Sequence, residues 1–127
     1  MNILIAEDDV MNQLLIGIFM SNLEWHYTIV ENGFLAVNAC RTGSFDAIIM
    51  DIEMPALNGK EAARRIRVFN KVIPIIAFTA YANIHNNHQC TSAGMNAFIE
   101  KPATEDILRD TVIKLVAVSL LSKPESK

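Results

Sequence analysis

The sequence predicts an α/β fold, a parallel sheet covered by helices on both faces. Three observations predict it. Short continuous apolar runs recur along the chain, segments with helical spacing separate them, and polar or glycine-bearing turns stand at the junctions. Ile3–Ala6 is the first such run, and Asp9 to about Ser21 follows with Leu14, Leu15, Ile18 and Phe19 at helical spacing. Tyr27–Val30 is strand-like, and Gly33–Cys40 is helix-like through Leu35, Ala36 and Ala39. Ala47–Met50 is the third strand. Gly59–Phe69 then turns Ala62, Ala63 and Ile66 inward and Arg64, Arg65 and Arg67 outward. Ile73–Phe78 forms a fourth strand, and a polar helix spans roughly Ala82–Ala93, stopped by Gly94. Ala97–Ile99 is the fifth strand. Thr104 begins a last helix with Glu105 and Asp106 in its first turn, where the dipole favours acids.

Bulk properties narrow the function classes. A chain of 127 residues that is 51% hydrophobic and 20% charged is long enough for one domain with a real core and is not disordered. Its net charge of −3 argues against a broad nucleic-acid footprint. Cys40 and Cys90 have no metal-type spacing and read as two reduced thiols of a cytoplasmic protein. No basic leader precedes the first strand, and no apolar stretch reaches the ~18 residues of a membrane span. There is no repeat and no internal linker. The expected domain is residues 1–121, with 122–127 as a polar tail.

In open parallel sheets, ligands sit beyond the carboxyl ends of the strands. The polar residues ending these strands therefore carry the function. Strand one ends in Glu7-Asp8-Asp9, strand three at Asp51, strand four at Thr79, and strand five in Glu100-Lys101-Pro102. Carboxylates converging on one crevice repel and call for a cation. An all-oxygen set suits Mg²⁺ or Mn²⁺. With Lys101 as a fixed positive charge, Thr79 as a hydroxyl donor and Asp51 as nucleophile, the set matches the needs of phosphoryl transfer.

From about Asn2 to Leu121 the chain resembles the receiver domains of two-component signalling. The acidic pair Glu7-Asp8, "MDIEMPALNG" around Asp51, "FTA" with Thr79 and "KP" with Lys101 carry the likeness, in that order. The resemblance implies a flavodoxin-like (βα)5 three-layer sandwich with strand order 2-1-3-4-5. It implies that Asp51 accepts a phosphoryl group from a phosphohistidine of a histidine kinase or histidine phosphotransfer protein. Asp8 and Asp51 would bind Mg²⁺ through side chains, Glu53 through its backbone carbonyl and Glu7 through water. Lys101 and Thr79 would bind phosphoryl oxygens, and the Lys101-Pro102 bond would be cis. The signal would leave as Thr79 swings toward the phosphoryl group and Phe98 turns inward behind it, altering the surface of the fourth helix, fifth strand and fifth helix, roughly Ala82–Val118. That surface is also where dimerisation is expected. Phe98 as an ordinary core residue is the competing reading.

"ILIAEDDVMNQ" and "AGMNAFIEKPA" resemble receivers of hybrid sensor kinases and phosphorelays, through the Glu-Asp pair and the Asn12-Gln13 dipeptide. A free-standing receiver and one drawn from a longer protein both stay open. Such a domain catalyses its own phosphorylation and hydrolysis but is a signalling module rather than a metabolic enzyme. Met11, Leu14 and Leu15 either help dock a histidine-bearing helical bundle or are core residues. Asp9 reads as the N-cap of the first helix. Glu53 and Tyr81 flank the phosphoryl position and are expected to control water access. His85 and His88, at i and i+3, read as solvated residues rather than metal ligands. Trp25 and Phe45 read as packing, and Asp46 as a surface or turn residue.

Three other functions compete. A flavin or dinucleotide module needs a glycine- or hydroxyl-rich phosphate loop where Glu7-Asp8-Asp9 would repel the phosphate. A haloacid-dehalogenase-type hydrolase needs a second aspartate at the place of Glu53. A receiver-like interaction domain that works without phosphorylation is the alternative closest to the favoured reading.

Overall fold

The computed structural model describes residues 1–80 and 83–122, with side chains up to Leu121. Five strands, β1 (Asn2–Ala6), β2 (His26–Val30), β3 (Ala47–Asp51), β4 (Ile75–Thr79) and β5 (Ala97–Glu100), alternate with α1 (Val10–Asn22), α2 (Gly33–Thr42), α3 (Gly59–Phe69), α4 (Ile84–Ser92) and α5 (Glu105–Ser122). All strand pairs are parallel and the order is β2-β1-β3-β4-β5, the flavodoxin-like arrangement that the family resemblance implied. Every residue of β3 and β4 is buried, which explains why these strands show no polar alternation.

Strand alternation splits the core into two layers. Leu4, Ile48, Met50, Ile75 and Ala77 pack against Ala36 of α2, Ala62, Ala63 and Ile66 of α3, and Cys90 of α4. Ile3, Ile5, Ile49, Ile76 and Phe78 pack against Ile16 and Met20 of α1 and Leu108 and Val112 of α5. Each fully buried aliphatic side chain contributes about 1.5–3 kcal/mol of transfer free energy. Trp25 and Phe45 pack at the margins of these layers, as expected. Burial pushes the Cys40 thiol up to about 11 and also raises that of Cys90, so both stay protonated near neutrality.

The helices start on side-chain caps. Asp9, Asn32, Asn58 and Asn83 each accept a hydrogen bond from the backbone N–H three residues on. Of these, sequence reading singled out Asp9 alone. Gly94 leaves α4 at φ 100°, the left-handed value expected of a helix-ending glycine. Across the α2–α3 seam the guanidinium of Arg65 lies 5.2 Å from the Phe34 ring and that of Arg41 5.1 Å from Phe69. At exposed sites each such pair contributes about 0.5–1 kcal/mol.

Four expectations change. Leu14, Leu15 and Ile18 are exposed, and Ile16, Gly17 and Met20 supply the buried face of α1 instead. This helix is apolar nearly all round, so periodicity alone did not identify its inner face. Arg67 does not point into solvent. It donates to the carbonyls of Gly94 and Asn70 and to Asn96 Oδ1, locking α3 to the turn before β5. Ile73 is buried in the turn before β4 rather than in the strand, because Asn70 Oδ1 accepts from both Val72 and Ile73 N–H. The fourth helix begins at Ile84 after the Asn83 cap, and Ala82 lies outside the described residues.

Gly59 starts α3 directly against the end of β3. A Cβ there would collide with the Asp51 carbonyl oxygen and lie 2.9 Å from the Ile52 Cα, both backbone atoms. Gly59→Ala is therefore expected to cost about 1–3 kcal/mol by urea denaturation. Gly17→Ala meets only the movable Tyr27 hydroxyl, at 3.2 Å, and gains helix propensity, so the same measurement should find it near neutral.

Candidate active site

The site lies where β1, β3, β4 and β5 end. Asp51 is the last residue of the fully buried β3, so rigid backbone places its carboxylate, and the chain turns away at once. The turn is compact. Met54 and Leu57 bury under it, Ala56 adopts a left-handed φ of 67°, and the Gly59 N–H bonds the Ile52 carbonyl at 3.2 Å. This folding aims the Glu53 N–H at Asp51 Oδ1, 3.0 Å away.

Glu7 follows β1 and is 1% exposed. Its Oε1 accepts from Lys101 Nζ at 2.5 Å, and its Oε2 from the Asp9 N–H at 3.3 Å. Lys101 also donates to Asp51 Oδ2 at 3.1 Å, so one ammonium spans two buried carboxylates. Lys101 arrives from the end of β5, its N–H bonded to the Thr79 carbonyl at 2.8 Å and its bond to Pro102 cis, as expected. Its ammonium stands 5.1 Å from the centre of the Phe78 ring. Phe78 therefore forms an apolar floor beneath the charge, a role that strand-four periodicity did not suggest. Thr79 is 1% exposed, at the end of β4. Asp8 is exposed, and one carboxylate oxygen each from Glu7, Asp8 and Asp51 lies within 4.8 Å of the others.

The expected site residues Glu7, Asp8, Asp51, Glu53, Thr79 and Lys101 are thus brought to one end of the sheet. Phe98 is half-buried on β5 and packs against the layer containing Ala77 and Cys90, so it is in part a core residue. Tyr81 lies outside the described residues. Asp9 caps α1, and Asn12 N–H bonds its Oδ2 at 2.9 Å. His85 and His88 are exposed on α4, as expected, and His85 Nε2 lies 3.1 Å from the Gln89 amide nitrogen. Asp46 ties the start of β3 to Asn2, whose N–H it accepts at 2.7 Å. Sequence reading missed Gln13 as a site neighbour: its Nε2 donates to the Glu7 carbonyl at 2.6 Å. A polar residue in the first turn of a helix that follows an acidic strand end was the available signal.

Charge dominates the energetics here. Burial pushes the Glu7 carboxyl up, the Asp51 carboxyl adds to the rise, and Lys101 and the Asp9 N–H oppose it. For Lys101, burial alone would lower the ammonium, but Glu7 and Asp51 outweigh it and the net direction is upward. Three carboxylates stand together and the one ammonium pairs with two of them, which leaves an excess of negative charge bounded by oxygen donors. This donor set fits a hard divalent cation such as Mg²⁺ or Mn²⁺, and no thiol or imidazole belongs to it. Among the described residues it is the one cluster of acidic, histidine or cysteine side chains able to hold a metal.

The raised Glu7 carboxyl fixes the sign of a pH effect. Between about 4.5, where an unfolded glutamate loses its proton, and the higher folded value, the native state holds the proton more firmly. Ionising Glu7 therefore weakens the metal-free fold as pH rises through that window. Glu7→Gln should raise the urea midpoint at pH 7.5 in chelator, and the gain should vanish below pH 4.5.

The sequence profile described as the response regulator receiver domain matches residues 3–125. Over 123 residues the chain is 30% identical to the sensor protein GacS of Pseudomonas syringae, covering 93% of this chain and 14% of that protein. It thus spans about one seventh of that relative's length. The receiver domain of sensor histidine kinase PA1611 from Pseudomonas aeruginosa, solved with a magnesium ion coordinated in its active-site cleft, is 34% identical. It superposes with a TM-score of 0.86 over 91% of this chain and 97% of that one. A chain of the co-crystal structure of the Saccharomyces cerevisiae histidine phosphotransfer signaling protein Ypd1 with the receiver domain of its downstream response regulator Ssk1 is 30% identical. Its TM-score is 0.87, over 97% of this chain and 93% of that one. The parallel sheet, the acidic site at its carboxyl end and these likenesses agree: the chain belongs to the response regulator receiver domain family.

Proposed function

We propose that this chain is a phosphoacceptor receiver in a phosphorelay, with Asp51 taking a phosphoryl group from a phosphohistidine. The convergence of Glu7, Asp8 and Asp51 around the Lys101 ammonium carries this reading. An Asp51 carboxylate oxygen attacks phosphorus, the bond from phosphorus to the imidazole nitrogen breaks, and the electron pair leaves on that nitrogen. Buried backbone holds Asp51 in place for attack, and the Glu53 N–H on Oδ1 fixes its rotamer. Lys101, already on Oδ2, stays with the incoming phosphoryl oxygens, and the Thr79 hydroxyl bonds one of them. Mg²⁺, or Mn²⁺ in its place, would be held by Asp8, Asp51, the Glu53 carbonyl and, through water, Glu7, where it would offset the charge on those oxygens.

The output follows from the same charge change. Drawing Thr79 toward the phosphoryl group frees space toward Phe98, whose partial burial gives it room to move inward. The surface of α4, β5 and α5 would change with it, available to an output partner or a second receiver. The side chains of Glu53 and Tyr81 would screen the acyl phosphate from water and lengthen its life.

The phosphoryl donor docks on α1. Val10, Met11, Leu14 and Ile18 expose an apolar stripe along this helix, from 57% for Ile18 to 72% for Met11. The stripe begins at the helix end nearest Glu7 and Asp8, so a histidine-bearing helical bundle laid along it brings its imidazole to Asp51. The likeness to a receiver crystallised with a histidine phosphotransfer protein supports this partner class. The likeness to GacS supports a longer sensor kinase as the parent.

Two measurements test the reading. Incubation with acetyl phosphate and Mg²⁺ should add one phosphoryl group by intact mass, absent with chelator and absent in Asp51→Asn. No gain under any condition would leave an interaction domain that works without phosphorylation. Leu14→Asp with Ile18→Asp should slow transfer from a phosphorylated histidine phosphotransfer protein at least ~10-fold while leaving acetyl phosphate labelling unchanged. Equal slowing of both would place the effect in the chemistry rather than the docking.

A further inference from the structure

Gln13 stands in the first turns of α1, four residues beyond the Asp9 cap. Its side-chain amide turns back, and Nε2 donates to the Glu7 carbonyl at 2.6 Å. That carbonyl belongs to the peptide unit joining Glu7 to Asp8. The orientation of this unit sets where the two acidic side chains point, because both Cα atoms lie in its plane. The Glu7 N–H is fixed from the other side, on the Val30 carbonyl at 2.9 Å, and Asp9 N–H holds Glu7 Oε2. Sheet bonding thus ends at the Glu7 N–H, and beyond it the amide of Gln13 secures the acid pair. Gln13 also lines a groove of about 500 Å³ between α1 and β2, beside Leu14, Gly17, Ile18, Tyr27 and Ile29.

We infer that Gln13 is a positioning residue for the cation site, holding the Glu7–Asp8 peptide so that both carboxylates face Asp51. The inference rests on the proposed Mg²⁺-dependent reading of that site. A donor at this position satisfies the carbonyl and fixes the plane. Without it the carbonyl must seek water, the acid loop gains freedom, and the cation meets a less ordered set of oxygens. Gln13 touches the acid loop on one side and the α1 groove on the other, so a helix seated in the groove presses on the residue that orients the acids.

The test is calorimetric titration of Mg²⁺ into chelator-treated protein, with melting temperature followed in parallel. Gln13→Met keeps length and removes the donor, and should weaken Mg²⁺ about 10-fold. Gln13→His, measured at pH 8 where an ordinary imidazole is neutral, keeps an N–H donor at similar reach without adding charge and should restore affinity to near that of the unaltered protein. Gln13→Asn, one methylene too short to reach the carbonyl, repeats the test should the Met variant fail to fold. A lower melting temperature with unchanged Mg²⁺ affinity would make Gln13 merely structural and overturn the inference. So would a His variant as weak as the Met variant. Failure of the unaltered protein both to bind Mg²⁺ and to label with acetyl phosphate would instead overturn the proposed function, and the inference with it.

Discussion

The Lys101 ammonium between Glu7 and Asp51 is the interaction on which the arrangement of this protein turns. Two carboxylates buried within one site are held apart from water by the sheet and helices around them. Without a cation between them their mutual repulsion and desolvation would favour the protonated form of one. Lys101 can serve because β5 lies beyond β4, at the far side of Asp51 from β1, and its ammonium stands over the Phe78 ring within reach of both acids. The strand order therefore does chemical service as well as structural. In this order β3 stands between β1 and β4, and one lysine following β5 meets acids from two other strands.

Charge balance at this site is incomplete, and that incompleteness gives it a use. Glu7 is pushed upward by burial and by Asp51 even with Lys101 in contact. A structure optimised for stability alone would carry an amide or an apolar residue there. Retaining an excess of carboxylate at the mouth of a parallel sheet holds free energy in reserve for a divalent cation and for the phosphoryl group it accompanies, in the function proposed here. The surrounding backbone is correspondingly rigid: Gly59 abuts the Asp51 carbonyl, Asn58 caps α3, and the Glu53 N–H grips Asp51.

The exposed apolar stripe of α1 is the counterpart of this rigid site. A helix apolar on nearly every side buries one face against β1 and β3 and offers the other to solvent. In the function proposed here, that face is the one covered by a helical partner with an apolar surface of its own. Gln13 sits between the two regions, where helix, groove and acid loop meet.

Much of this was legible in the residues themselves. The unbroken apolar runs of β1, β3 and β4 dictated a parallel sheet buried on both faces, since alternation is needed only where one face meets water. The strand ends Glu7-Asp8, Asp51, Thr79 and Lys101 pointed to an acidic site able to hold a cation, because parallel sheets gather their carboxyl ends on one edge. What the sequence could not decide was which face of α1 turns inward, since Leu14, Leu15, Ile16 and Ile18 are equally apolar and only the shape of the sheet beneath selects Ile16 and Met20. Nor could it decide that Arg67 would leave its charged neighbours to bind Gly94, or that Gln13 would reach the Glu7 carbonyl. Those are contacts between polar groups on separate elements. Their partners are fixed by distance in three dimensions, and local residue patterns do not encode it.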